Sequence, residues 1–235
     1  MKHALILAAH GSHLDAHSSA TAWGLADGVR SLGEFDVVRA AFWKEEPSFA
    51  RALDGLEHHA VTVVPLFMAP GYFTKVALPR ELAPAIAARP GEAPGVRVLG
   101  ALGCEPPLAH MAAARAREAG AGEATTVVLL GHGTERHGGA AANLTRVAQT
   151  VAETVCFAHV VPAFIDQAPD IADVLRGLPG PVVVVPYFMS EGWHTGTTVP
   201  ADLARAGISV QVTPPVGTHP GLAAALANLL QNGPL

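Results

Sequence analysis

The sequence has few cysteines, few charged residues and no long hydrophobic run. Two cysteines among 235 residues are too few for a disulfide scaffold, an all-cysteine zinc site or an iron–sulfur cluster. No apolar run approaches the roughly 18 residues of a membrane span, and the apolar start, residues 4–9, is too short for a signal peptide. The formal net charge of −5 argues against general nucleic-acid binding. We therefore expect a cytoplasmic protein that binds neither nucleic acid nor membrane.

The sequence is rich in hydrophobic residues and contains an internal repeat. Half of the residues are hydrophobic, which is enough for a sizeable core. The run that ends in His10-Gly11-Ser12 returns about 122 residues later as a run that ends in His132-Gly133-Thr134. Collinear matches follow at 41–42 with 163–164, 63–68 with 184–189, and 79–83 with 200–204. The repeat predicts two lobes of similar fold, residues 1–120 and 121–235, divided in a glycine-rich segment.

Each lobe has the sequence pattern of an α/β fold. Short segments rich in Val, Leu and Ile predict buried parallel strands at 4–9, 61–66, 126–130 and 182–187. Alanine-rich segments with helical spacing predict helices at 18–32, 80–88, 107–119, 140–154 and 221–230. Because strands alternate with helices, we expect a parallel sheet of about four strands in each lobe, with helices on both faces. Ligands bind such sheets at the carboxyl ends of the strands.

Histidines follow the predicted strands of the second lobe. His132 comes directly after the first strand and His194 follows a later one, so both are expected at one rim of the sheet. Two imidazoles there can bind a divalent first-row metal ion, or accept protons at neutral pH. Gly133 and Gly192 beside them leave room for a bulky ligand to approach the backbone.

The first lobe lacks one member of this histidine pair. His10 matches His132, but Phe73 stands at the position that matches His194. Phenylalanine neither binds a metal nor transfers protons, so the second lobe is expected to hold the complete pair. His10 is then either a further metal contact or a remnant of an ancestral site.

Four motifs occur in order. They are a strand that ends in His-Gly-Ser or His-Gly-Thr, an Ala-Phe pair before an acidic residue and a proline, the pattern Pro-x-Phe-Met-x-x-Gly-x-His, and Gly217-Thr218-His219-Pro220. Together they resemble the class II tetrapyrrole chelatases, which include the sirohydrochlorin cobaltochelatases and ferrochelatases. The resemblance covers nearly the whole chain, once in each lobe. It implies two flavodoxin-like lobes with a cleft between them, and insertion of Co²⁺ or Fe²⁺ into sirohydrochlorin or a related tetrapyrrole of cobalamin or sirohaem biosynthesis.

The resemblance also implies roles for individual residues. His132 and His194 stand at the positions of the family's two active-site histidines, and Asp166 lies near the position where a glutamate is typical. We therefore expect His132, His194 and Asp166 to be catalytic, and His132, His194 and His10 to contact the metal. In this scheme His132 holds the metal ion and His194 removes pyrrole protons. The metal ion is a substrate, and no organic cofactor is expected.

Substrate-binding residues are predicted from the charge of the macrocycle. Sirohydrochlorin is rich in peripheral carboxylates, so cationic side chains near the strand ends are expected to bind it. The candidates are Arg136 and Lys75, together with Gly133 and Gly192. The sequence carries no signal of oligomeric state.

The sequence is also consistent with two other functions. A protein of this fold could carry a tetrapyrrole or a metal ion without catalysing insertion. In addition, Arg136-His137-Gly138 matches a motif of the histidine phosphatases, although residues 131–134 separate it from the strand that it should follow. A carrier binds its ligand stoichiometrically without accelerating insertion, and a phosphatase hydrolyses an aryl phosphate without a divalent metal.

Overall fold

The chain forms two compact α/β units. The computed structural model describes residues 1–12, 17–133, 139–192, 194–205 and 207–232. Unit 1 comprises residues 1–105 and 220–235, and unit 2 comprises residues 106–219.

Eight strands and seven α-helices make up the described part of the chain. The strands are β1 (Lys2–Ala9), β2 (Val37–Phe42), β3 (His59–Pro65), β4 (Val96–Val98), β5 (Thr126–Gly131), β6 (His159–Phe164), β7 (Val182–Pro186) and β8 (Gln211–Val212). The helices are α1 (His17–Ser31), α2 (Leu78–Ala87), α3 (Pro106–Glu118), α4 (Gly139–Thr154), α5 (Ile171–Gly177), α6 (Val199–Arg205) and α7 (Leu222–Asn232). None of these helices is both long and apolar enough to cross a membrane.

Each unit contains one four-stranded sheet in which every pair of neighbours is parallel. The strand order is β2-β1-β3-β4 in unit 1 and β6-β5-β7-β8 in unit 2. This confirms the predicted fold of two similar α/β lobes with about four strands each. The order is that of flavodoxin-like sheets, whose ligand crevice opens at the carboxyl ends of the first and third strands. In unit 2 these strands are β5 and β7.

The apolar strands supply the core of each unit. Residues 4–9 of β1 and 126–131 of β5 are buried along their length, as expected for central parallel strands covered on both faces. In unit 1 they pack with buried side chains that include Phe49, Leu56, Val63, Leu78 and Leu82. In unit 2 the corresponding core includes Ile171, Leu175, Val184, Val199 and Leu203. Each such side chain contributes about 1.5–3 kcal/mol when fully buried.

The last helix of each sequence half lies in the unit formed mainly by the other half. Helix α7 packs on α1 in unit 1, where a Cβ on Gly28 would lie 2.9 Å from the Cβ of Ala223. Helix α3 packs on α4 and β7 in unit 2, and Arg115 of α3 donates to Thr218 Oγ1 at 3.2 Å. A sequence repeat does not specify the sheet on which a helix packs, so the compact units differ from the halves 1–120 and 121–235 in these two helices. The division into two lobes at residue 120 stays a prediction.

Candidate functional site

At the carboxyl ends of β5 and β6, a histidine and an aspartate lie side by side. His132 follows β5, and Asp166 comes two residues after β6. The amide of Asp166 donates to the carbonyl of His132 at 2.9 Å, which continues the pairing of the two strands past their ends. His132 Nδ1 consequently lies 3.0 Å from Asp166 Oδ2, and 53% of each side chain is exposed. The structure thus brings together two of the three predicted catalytic residues.

The contact with Asp166 favours the tautomer of His132 in which Nδ1 carries the proton. An ionised carboxylate only accepts hydrogen bonds, so Nδ1 of the imidazole is the protonated donor. Nε2 of the neutral ring then carries the lone pair with which histidine binds a metal ion or accepts a proton. A carboxylate in this place also holds the orientation of the ring, as it does for many metal-binding histidines. The pair can therefore present one nitrogen, in a fixed direction, to a metal or an acidic proton.

The third predicted catalytic residue begins a short turn after β7. His194 is the first residue of a five-residue π-helical turn, His194–Thr198, and its side chain lies outside the described part of the structure. Thr195 closes the loop that leads into the turn, since its Oγ1 accepts from the amide of Gly192 (3.0 Å) and donates to the carbonyl of Gly192 (3.1 Å). The strands before His132 and this turn, β5 and β7, are the two that border the crevice of a flavodoxin-like sheet.

The four predicted substrate contacts differ in their surroundings. Gly133 is buried with a φ of +80°, and a Cβ there would lie 2.5 Å from Cγ of Gln167, so this glycine is needed for packing. Gly192 is exposed, and a Cβ added to it would have no atom within 4 Å. Lys75 is exposed in unit 1, and Arg136 lies outside the described residues. Contact of these residues with a substrate stays a prediction.

Unit 1 repeats the loop arrangement with a different pair of side chains. The amide of Lys44 donates to the carbonyl of His10 at 2.9 Å, as the amide of Asp166 does to His132. Lys44 therefore occupies the position of the aspartate, and His10 has no carboxylate there. Its Nδ1 donates instead to the carbonyl of Gly11 at 2.7 Å.

The turn after β3 has the same form as the turn after β7. Phe73 begins the five-residue π-helical turn Phe73–Ala77, just as His194 begins the turn after β7. The ring centroids of Phe73 and His10 lie 4.8 Å apart in an edge-on arrangement. In the described part of the chain, no three His, Cys, Asp or Glu side chains are grouped so that they could hold a metal ion. The role of His10 as a metal contact stays a prediction.

Sequence reasoning missed the aromatic residues around His10. Trp43 follows β2, while Phe67 and Tyr72 lie in the segment between β3 and its π-helical turn. The signal that could have found them is their place directly after strands, which they share with the histidines. They lie in unit 1, at the edge of the sheet where the histidine pair is incomplete.

Comparisons with known proteins place the whole chain among chelatase-like proteins. The sequence model of the CbiX family matches residues 4–119 and again residues 126–232. A probable sirohydrochlorin cobaltochelatase of Halobacterium salinarum is 35% identical over 221 residues, which cover 85% of this chain and 76% of that protein.

Solved structures agree with the sequence comparison. The structure of CbiX described as the terminal enzyme of sirohaem biosynthesis in denitrifying bacteria is 30% identical, with a TM-score of 0.76 and 99% coverage of both chains. A multi-domain protein of Deinococcus radiodurans, described as structurally similar to chelatases with two additional domains, is 28% identical with a TM-score of 0.81. That match covers 100% of this chain but only 56% of the Deinococcus protein.

Proposed function

The chain belongs to the CbiX family, and from this membership we propose that it is a metal chelatase that inserts Co²⁺ or Fe²⁺ into sirohydrochlorin or a closely related tetrapyrrole. The relative from Halobacterium salinarum supports cobalt and sirohydrochlorin as substrates, because its name specifies both. The relative from denitrifying bacteria supports iron, because its product is sirohaem. The metal ion is a substrate in either case. The absence of an organic cofactor, of nucleic-acid and membrane partners, and the cytoplasmic location stay predictions from the sequence.

The structural observation that supports this proposal is the contact between His132 and Asp166 at the carboxyl ends of β5 and β6. Insertion removes two pyrrole N–H protons and replaces the water ligands of the metal with ring nitrogens. It therefore needs a group that holds the metal weakly and a group that accepts protons. Neutral imidazole can do either.

We assign these two tasks to different histidines. A nitrogen that is bound to a metal has no lone pair for a proton, so one imidazole cannot perform both tasks at the same moment. His132, oriented by Asp166, contacts the metal ion through Nε2, and His194 accepts the pyrrole protons. Asp166 is a positioning residue in this scheme. Lys75 and Arg136 pair with peripheral carboxylates of the tetrapyrrole, and Gly192 leaves room for the ring.

The first test is multiple turnover. Anaerobic mixing of the protein with excess sirohydrochlorin and Co²⁺ or Fe²⁺ is expected to convert many equivalents of tetrapyrrole, as followed by its visible spectrum, faster than in a protein-free control. A carrier would instead change the spectrum by one equivalent and leave the insertion rate at that of the control. Hydrolysis of an aryl phosphate in the absence of metal would favour the phosphatase alternative and contradict our proposal.

Replacing Asp166 tests the orientation of His132. We expect Asp166→Ala to reduce the rate of Co²⁺ insertion by about 10–100-fold, as removal of such outer partners does at other metal sites. The KM for Co²⁺ should rise while the KM for the tetrapyrrole stays constant, because the lost contact orients only the metal-binding ring. Asp166→Glu, which keeps the carboxylate, should recover part of the loss.

Asp173→Ala is the matched control, because Asp173 pairs with Arg176 on α5 and 75% of its side chain is exposed. Its kinetics should equal those of the wild type. A wild-type KM for Co²⁺ in Asp166→Ala would contradict the assigned role.

A further inference from the structure

A cavity of about 500 Å³ opens at the amino end of the sheet of unit 1, on the edge opposite to His10. It lies among the starts of β1, β3 and β4, the turn before β2 and the end of α7. Its lining includes the side chains of His3, Glu34, Phe35, Thr62, Arg97 and Leu230. At about 3.3 Å per residue, β1 separates the cavity from the edge that carries His10 by roughly 20 Å. A ligand in the cavity therefore does not touch the carboxyl ends of these strands.

The strand register places the polar lining residues on one face of the sheet. Thr62 of β3 pairs with Arg97 of β4, and Ala60 of β3 pairs with His3 of β1. Paired residues of parallel strands, and residues two apart in one strand, direct their side chains to the same face. Ala60 has only a methyl group and lies between the longer side chains of the outer two strands. The cavity therefore has a small residue on its floor and polar groups on either side.

Hydrogen bonds hold the walls of the cavity in place. The amide of His3 donates to Asp36 Oδ2 at 2.7 Å, and the amide of Asp36 donates to the carbonyl of His3 at 2.9 Å. These two bonds fix the turn that carries Glu34 and Phe35. On the opposite wall, the guanidinium of Arg89 donates to three backbone carbonyls and fixes the loop before β4. A preformed cavity binds a ligand without the cost of ordering its walls.

Arg97 differs from the other arginines of unit 1 in its contacts. Five of the six arginines donate to carboxylates or backbone carbonyls, namely Arg30, Arg39, Arg51, Arg80 and Arg89. The half-buried side chain of Arg97 makes no hydrogen bond or ion pair with the residues that the structure describes. A guanidinium carries five N–H donors in a planar fork that matches an acidic group. These donors are available to an anion in the cavity.

Unit 2 has different side chains at the corresponding positions. Thr125 occupies the position of His3 and is buried, whereas His3 is exposed. Gln211 occupies the position of Arg97, as the equivalent pairing of the third and fourth strands shows. A hydroxyl and a neutral amide thus replace an imidazole and a guanidinium. Since unit 2 has the same fold without these groups, the fold itself does not require them.

We infer that this cavity binds a small organic monoanion whose acidic group is attached to an aromatic or other apolar body. Arg97 pairs with the acidic group, and Phe35 and Leu230 contact the apolar body. Small-molecule sites combine such an apolar lining with a few polar groups, in volumes of roughly 300–1,000 Å³. The carboxylate of Glu34 repels a second negative charge, so a macrocycle with many carboxylates does not suit the cavity. The inference does not rest on the proposed function.

The test is equilibrium binding of anilinonaphthalene sulfonate, an aromatic monoanion whose fluorescence rises when it leaves water. We expect the wild-type protein to bind this probe, and Arg97→Gln to raise the Kd about 10-fold through loss of a charge-assisted hydrogen bond. Ala60→Leu puts a larger side chain on the cavity floor and should raise the Kd at least as much. Circular dichroism verifies that each variant is folded, and Arg97→Gln decides alone where Ala60→Leu is not.

Arg51→Gln is the matched control, because 69% of the Arg51 side chain is exposed and it pairs with Asp54 outside the cavity. It should bind the probe with the wild-type Kd. Displacement of the probe then tests the class of ligand. Phenylacetate should displace it at concentrations at least about 10-fold lower than phenylethanol or phenylethylamine, which are similar in size but lack the negative charge. A wild-type Kd in Arg97→Gln, or equal displacement by the alcohol, would overturn the inference.

Discussion

Replacing His132 and His194 together with alanine is expected to lower the rate of Co²⁺ insertion into sirohydrochlorin by at least about 100-fold, to the rate without protein. Loss of a positioned proton acceptor alone typically costs 10²–10⁴-fold. Loss of the imidazole beside Asp166 also removes the nitrogen that we assign to the metal. The measurement is the initial rate of spectral change under anaerobic conditions, with each single variant beside the double variant.

The single variants separate the two roles. His132→Ala should weaken binding of Co²⁺ alone, whereas His194→Ala should bind Co²⁺ like the wild type but insert it slowly. His58→Ala is the control, because His58 is exposed before β3 and has no place in the proposed site. It should keep the wild-type rate. A double variant that retains more than a tenth of the wild-type activity would exclude both histidines from the chemistry.

Gly217→Ala is expected to lower the free energy of unfolding by about 3 kcal/mol or more. A Cβ on Gly217 would lie 2.1 Å from the carbonyl oxygen and 2.4 Å from the Cα of Met189, and backbone atoms cannot move aside as a flexible side chain would. The contact also fixes the loop after β7, because the amide of Gly217 donates to the carbonyl of Phe188 at 3.0 Å. Urea denaturation gives the free energy, and the soluble yield gives an independent indication.

Gly177→Ala provides the comparison within unit 2. No atom lies within 4 Å of a Cβ at Gly177, so this variant should differ from the wild type by no more than about 0.5 kcal/mol. Unit 1 has an equivalent close approach of a glycine to a neighbouring backbone, since a Cβ on Gly103 would lie 2.3 Å from the carbonyl oxygen of Met68. Wild-type stability in Gly217→Ala would contradict the close contact between Gly217 and the backbone of Met189.

Most of the fold could be predicted from the sequence because the informative segments are long or strongly apolar. Each of the four predicted strands and five predicted helices occurs within two residues of its expected ends. The elements without an individual prediction are short or weakly patterned. Strands β4 and β8 have three and two residues, and β6 contains Pro162, a residue that argues against a strand in a sequence. Helix α5 has seven residues, and its start depends on a local cap in which the amide of Ala172 donates to Asp170 Oδ1.

Only part of the candidate site could be predicted from the sequence. Histidines after strands give a signal that needs no coordinates, because the carboxyl ends of parallel strands meet at one edge. The contact between His132 and Asp166 depends on how two loops pair beyond β5 and β6, which spacing alone does not determine. The contacts among the rings of His10, Trp43 and Phe73 bring together the loops after β1, β2 and β3, which meet only in the folded unit. For the same reason, sequence spacing could not assign α3 and α7 to their units.

Helix α7 follows all of unit 2 in the sequence, yet it covers α1 of unit 1. As the protein emerges from the ribosome, residues 1–105 are made long before the helix that completes their unit. Unit 2 is a continuous stretch, residues 106–219, so all of it exists before α7 does. Domains usually fold in the order in which they are synthesised. In this chain the unit that is begun first is completed after the other, and its apolar surface beside α1 stays uncovered until α7 has been added.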